Sequence, residues 1–151
     1  MSAEEDGALQ LDNQLCFRLY TASRLIIRGY RPMLEALGLT YPQYLVMLVL
    51  WEWQAAAPAQ ATVKALGERL ALDSGTLTPL LKRLEQLGLV RRRRASGDER
   101  ELSLGLTEQG ARLRERVPGL REELLCGSGL QREALDALHK ALGPLLADLG
   151  A

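Results

Sequence analysis

Residues Asp73–Thr107 read DSGTLTPLLKRLEQLGLVRRRRASGDERELSLGLT, and the change of rhythm inside this stretch decides the fold. Leu77, Leu80, Leu81, Leu84 and Leu87 recur at three- and four-residue steps, which is one face of a helix. Asp73 stands where a cap belongs and Gly88 where a helix stops. After Gly88 the period drops to two. LVRRRR predicts one strand, ASGDE a turn through Gly97 and Asp98, and RELSLGLT the return strand, with Leu102, Leu104 and Leu106 facing inward. Just upstream, Thr62 is placed to cap the short helix VKALGERL, and ALD links it tightly to the helix opened by Asp73. Two short helices joined this way form a helix-turn-helix, and a hairpin directly behind them is a wing.

Working outward, Thr40 and Gln43 in TYPQ make a capping box, with Pro42 in the tolerant first turn. The helix that follows, YLVMLVLWEW, is apolar nearly all round and is expected at the centre, so Met47, Trp51 and Trp53 read as core or interface residues. QAAAPAQA (54–61) is a connector. Leu11, Leu15, Leu19, Ala22, Ile26 and Tyr30 predict a first helix from about Asp12, as its cap, to at least Arg31; Pro32 kinks or ends it, and ALG at 36–38 closes the segment. Thr107 is expected to cap a long helix that Pro118 kinks. GSG at 127–129 breaks the chain, and a last helix carries Leu135, Leu138, Leu142, Leu145, Leu146 and Leu149. The expected fold class is mainly α with a small β-hairpin wing. Residues 1–151 form one unit: a winged helix-turn-helix lobe over 40–107, flanked by dimerisation helices over 12–39 and 108–149.

The bulk numbers fit. A chain of 151 residues suits one domain, and 47% apolar residues is ordinary for a globular protein. No long apolar run and no signal-peptide pattern is present, so a soluble, cytoplasmic protein with no membrane partner is expected. Two cysteines, Cys16 and Cys126, make neither a disulfide scaffold nor a CxxC site, and His139 is the single histidine. No metal and no cofactor is expected. Formal net charge is zero, but its distribution is uneven. Residues 1–12 carry Glu4, Glu5, Asp6 and Asp12 with no basic residue, whereas 82–100 hold seven basic residues against three acidic ones. A local basic patch is what phosphate attraction needs.

Opposite the leucine stripe of the second short helix stand Ser74, Thr76, Thr78, Pro79, Lys82 and Arg83. Hydroxyls can reach bases or phosphates, threonine and proline carbons can meet thymine methyls, and the two cations can neutralise phosphate or read guanine. Four consecutive arginines repel one another, and a minor groove or phosphate wall relieves that. Strand alternation lets only two face one way, and Arg92 and Arg94 are one such pair. Cys16, in NQLCFRLY, stays open on this evidence: it is either a small core residue or a reactive thiol. If Asp12 caps the helix, Cys16 lies in the first turn, where the dipole favours a thiolate. Tyr20 follows one turn later, and Leu15, Phe17 and Leu19 make the surroundings of Cys16 apolar.

LDSGTLTPLLKRLEQLGLV followed by GDERELSLGLTEQG resembles the MarR family of dimeric winged-helix regulators. The family's D-x-R of the wing stands as Asp98 and Arg100, and its leucine-threonine as Leu106 and Thr107; the resemblance covers almost the whole chain. The four-arginine strand is denser than the family pattern. NQLCFRLY, LTYPQYLVMLVLWE and LDSGTLTPLLKRLE together resemble the organic-hydroperoxide (OhrR) branch. That resemblance implies a homodimeric repressor on double-stranded operator DNA, with an organic hydroperoxide as inducer. It implies a peroxide sensor at Cys16, tyrosines at Tyr30 and Tyr41 reaching it from the partner subunit, Tyr20 lining the pocket, and a resolving cysteine at Cys126, as in the two-cysteine type. Peroxide is consumed stoichiometrically, so no enzyme is implied. Two rivals remain. A repressor answering to a small aromatic ligand would not need Cys16. A thiol peroxidase would need a base near the thiol, and no Cys–His pairing is legible with His139 alone.

Overall fold

The computed structural model describes residues 7–56, 58, 61–94, 102–127 and 129–151. A short 3-10 turn, Leu11–Asn13, leads into α1 (Leu15–Gly29), α2 (Arg31–Leu37), α3 (Tyr41–Ala55), α4 (Val63–Leu70) and α5 (Ser74–Gln86). Strands β1 (Val90–Arg94) and β2 (Leu102–Leu106) come next, then α6 (Glu108–Leu113), a 3-10 turn (Arg114–Arg116), α7 (Val117–Gly127) and α8 (Arg132–Asp148). The fold is mainly helical with a small antiparallel hairpin, as the sequence predicts.

The caps sit where the sequence puts them. Thr40 and Gln43 form a reciprocal box at the start of α3, Gln43 N donating to Thr40 Oγ1 at 3.4 Å and Thr40 N to Gln43 Oε1 at 3.0 Å. Thr62 accepts from Ala65 N, Asp73 from Thr76 N and Thr107 from Gly110 N, satisfying amides that the first helical turns leave over. Gly88 ends α5 with φ of +70°, a conformation that suits glycine. Gly110 is needed for another reason: a Cβ there would run into the carbonyl of Leu89.

Helix α3 is central. Val46, Met47, Leu50 and Trp51 are buried in one cluster with Leu66 of α4, Leu77, Leu81 and Leu84 of α5, and Leu89, Val90 and Leu104 of the hairpin. The same cluster takes in Met33, Leu34 and Leu37 of α2 and Val117 of α7, so the core runs on beyond 40–107 at both ends. Fully burying each such side chain stabilises by about 1.5–3 kcal/mol. Trp51 keeps its polar edge satisfied by donating from Nε1 to the Gly110 carbonyl at 2.9 Å. In the hairpin, Val90 pairs with Leu106, Arg92 with Leu104 and Arg94 with Leu102. Leu104 is buried, as alternation predicts, and its amide also bonds Ala61 O at 2.7 Å, pinning the hairpin beside the start of α4. The turn through Gly97, with Asp98 and Arg100, lies outside the described residues.

One expectation changes. The first helix is not continuous from Asp12 to Arg31. Asp12 lies in the 3-10 turn and caps nothing; α1 begins at Leu15 behind Gln14, which makes no side-chain cap. The helix stops at Gly29, and Pro32 falls in the first turn of α2, where its missing N–H is tolerated. The long helix after Thr107 is interrupted at Pro118 as expected, and the distortion falls just before the proline. Pro118 cannot donate and its ring crowds the carbonyl of Arg114, so Arg114–Arg116 tightens into 3-10 geometry before α7 continues.

Helices α1 and α8 stand apart from this core. Neither contains a buried residue, although each carries an apolar stripe. Leu15, Leu25, Leu138 and Leu146 are all exposed. Among the described residues no single helix is long and apolar enough to cross a membrane.

Candidate functional site

On α5, burying Leu77, Leu81 and Leu84 leaves Ser74, Thr76, Thr78, Pro79, Lys82 and Arg83 together on the exposed face. The threonine hydroxyls give their hydrogens to their own helix. Thr76 Oγ1 donates to Asp73 Oδ2 at 3.1 Å, and Thr78 Oγ1 to the Ser74 carbonyl at 2.7 Å. What each threonine then turns outward is a methyl group and acceptor lone pairs, suited to a thymine methyl or to the amino group of adenine or cytosine. The N–H and hydroxyl of Thr76 hold the Asp73 carboxyl below its ordinary range, so this cap stays charged.

The wing arginines divide. Arg91, Arg93 and Arg94 are exposed. Arg92 turns back: its Nε donates to Glu85 Oε2 at 2.8 Å, its Nη2 lies 2.7 Å from the same oxygen, and its backbone N–H donates to Glu85 Oε1 at 3.1 Å. The Arg92 hydrogen bonds hold the Glu85 carboxyl below its ordinary range. Arg92 and Arg94 share a strand face as expected, but only Arg94 extends from it into solvent. Nothing in the sequence singled out Glu85, because a link between a helix end and a strand seven residues on has no periodic signature.

At the other end of the lobe, Tyr30 and Tyr41 meet edge to face with ring centroids 5.6 Å apart. Tyr44, which the sequence reading passed over, lies 6.4 Å from both and from Trp51. The three-residue step from Tyr41 to Tyr44 on one helix was the available signal. Burial pushes the Tyr41 phenol above its ordinary value, and neighbouring Tyr30 adds to the shift; burial does the same at Tyr44.

Cys16 is the second residue of α1 and is exposed. Tyr20, one turn on, is exposed too, with the Arg24 guanidinium 5.3 Å above its ring. At 1.5 Å per residue, Cys16 and Tyr30 are separated by about 21 Å of helix. One chain therefore brings Tyr30 and Tyr41 together but does not bring Cys16 to them. Cys126 lies in α7, and its side chain is outside the described part. A cleft of about 880 Å³ opens between α3, α7 and the start of α8, lined by Leu48, Trp51, Val117 and Pro118 and by charges of both signs, Arg114, Arg121 and Arg132 with Glu52 and Glu122. Among the described residues no group of three or more histidines, cysteines or carboxylates gathers as a metal site.

Comparison with known proteins agrees with this geometry. Residues 28–117 match the family described as transcriptional regulator SarA/Rot. The chain is 48% identical over 141 residues to the organic hydroperoxide resistance transcriptional regulator of Bacillus subtilis, covering 93% of this chain and 92% of that protein. Among solved structures it is similar to reduced AbfR bound to DNA, with TM-score 0.75 and 37% identity over 97% of this chain and 99% of that one. It is also similar to AbfR with its disulfide formed, with TM-score 0.66 and 37% identity over 99% and 98% of the two chains. Matched over nearly its whole length by DNA-binding regulators, and built as a winged helix-turn-helix, the chain belongs to the MarR-like winged-helix transcriptional regulators of the SarA/Rot family, which bind DNA.

Proposed function

We propose that the protein is a homodimeric repressor that releases its operator when an organic hydroperoxide oxidises Cys16. The observation that carries this reading is the separation of Cys16 from Tyr30 and Tyr41. A thiol exposed in the first turn of an unpartnered amphipathic helix and a partly buried tyrosine pair, about 21 Å apart along one chain, become neighbours if two copies pack their arms about a two-fold axis. The identity to the Bacillus subtilis organic hydroperoxide resistance regulator supports the choice of inducer. In this reading the segments 12–39 and 108–149 supply the dimer contacts, and 40–107 binds DNA.

The chemistry is stoichiometric. The Cys16 thiolate attacks one peroxide oxygen; with a proton the products are the sulfenic acid and an alcohol. Condensation with the thiol of Cys126 then forms a disulfide and releases water, across the subunits in this proposal. Disulfide geometry requires α-carbons within about 7 Å, so forming the bond moves the arms, and the recognition helices lose the half-site spacing. On DNA, α5 presents Ser74, Thr76, Thr78, Pro79, Lys82 and Arg83, and the wing presents Arg94 with Asp98 and Arg100.

The test is operator binding by gel shift with and without cumene hydroperoxide. Cys16→Ser is expected to bind as the parent does and to stay bound under peroxide; release by this variant would sink the reading. The cleft beside Trp51 supports a second reading, in which a small aromatic ligand drives release. Under it Cys16→Ser remains fully inducible.

A further inference from the structure

Arg92 sits mid-strand in β1, opposite Leu104 and on the face that Leu104 buries. One Glu85 oxygen takes its guanidinium at 2.7 and 2.8 Å, and the other takes its backbone N–H at 3.1 Å. A single carboxylate from the end of α5 thus grips both the side chain and the outer edge of the wing strand. The two side chains are 25% and 30% exposed, against 77% and 65% in the surface pair Arg31–Glu35. Water competes less for the first pair, so it holds its geometry better.

We propose that Glu85 and Arg92 are a positioning pair that fixes the wing's angle to the recognition helix, and that Arg92 acts on operator binding through Glu85 instead of touching phosphate. A winged-helix lobe engages a duplex at two places at once, with α5 in the major groove and the hairpin against the neighbouring backbone or minor groove. Affinity depends on both being presented at the right angle before the encounter. A two-stranded hairpin is marginal by itself. Here its base is held by Leu104 packing and by the Leu104–Ala61 hydrogen bond. Val90 at the foot of β1 packs into the core with Leu81 and Leu84, and further along the strand the carboxylate of Glu85 ties β1 to the recognition helix. An acidic side chain on a surface that meets phosphate lowers affinity unless it does something else, and this one is directed into Arg92.

The two roles predict opposite signs. The experiment uses the full-length protein and a duplex selected from a random library by the parent protein, with affinity measured by fluorescence anisotropy across a salt series. Under the proposal Glu85→Ala and Arg92→Ala each weaken binding on the order of tenfold, and the double variant is no weaker than either single, because each acts through the other. Arg92→Lys, which keeps a charge but not the forked hold, behaves like Arg92→Ala. If Arg92 touches phosphate, Glu85→Ala tightens binding by removing a negative charge, Arg92→Lys stays near the parent, and Arg92→Ala lowers the salt slope by about one; that pattern overturns the proposal. Unchanged affinity in folded variants, with only a lower melting temperature, overturns it as well. Glu85→Gln, the milder change, falls between parent and Glu85→Ala under the proposal and serves if alanine destabilises the lobe.

Discussion

Helices α5 and α8 are written alike and end up in opposite surroundings. Both are amphipathic, both carry a leucine stripe at three- and four-residue steps, and both contain a proline. In α5 the stripe disappears: Leu77, Leu81 and Leu84 are at most 1% exposed against α3 and α4. In α8 nothing is buried, and Leu138 and Leu146 stand 40% and 48% exposed. A stripe states that an apolar face needs cover, not where the cover is. For the lobe the cover is within the chain. For the arms no cover is found among the described residues, and in the proposed homodimer a second copy with the same stripes supplies it on both sides.

The contrast can be broken at either end. The largest effect is expected at Leu81→Ala, which empties a fully buried site; urea unfolding should show a loss of about 2–5 kcal/mol. Leu138→Glu combined with Leu146→Glu should do something different in kind. Sedimentation should show the dimer dissociation constant raised on the order of a hundredfold, from two charges placed on an apolar contact, while circular dichroism of the monomer keeps the lobe's helices. A dimer unmoved by both charges would mean that the α8 stripe is not an interface. A smaller change belongs to Thr62→Ala. It removes the cap of α4 and should cost about 1 kcal/mol in the same unfolding assay, with no change in self-association.

The smallest effect concerns the link from α5 to the wing. Glu85 has a folded-state pKa held below its ordinary 4.5 by hydrogen bonds from Arg92. A lowered carboxyl value means that its stabilising contribution is complete above the ordinary value. That contribution is lost as pH falls past 4.5 and through the folded value. The melting temperature of the parent should therefore exceed that of Glu85→Gln at neutral pH, and the two should converge in acid. A gap that widens on acidification would show that Glu85 is not held as a paired carboxylate.

The helix-turn-helix, its caps and the wing strands were legible because each rests on a local rule. Asp73, Thr62 and Thr107 cap because an oxygen three residues ahead of an orphan amide can accept from it, whatever lies elsewhere in the chain. The exposed face of α5 followed by subtraction, once the leucine stripe was assigned to the core. The start of the first helix shows the limit of the same rule. Asp12 is a good cap by type, but a 3-10 turn forms around it and the helix opens only at Leu15. The interruption that Pro118 imposes on the long helix after Thr107 was legible too; it falls just before the proline because the ring acts on a carbonyl four residues earlier.

The sequence by itself determined which segments are helices, where most of them begin, which faces are apolar, and that Cys16 and the tyrosines are present at positions resembling a peroxide sensor. Only the tertiary structure decided the relations between segments. It gathers Tyr30, Tyr41 and Tyr44 into one cluster, keeps Cys16 about 21 Å of helix away from Tyr30, and turns Arg92 from the wing surface onto Glu85. The reason is physical. Caps, stripes and turns are set by interactions within a few residues, which a linear reading captures. Which side chain meets which across elements depends on how the packed core orients α5 against the hairpin and α3 against α2, and the sequence does not encode that angle in any single residue.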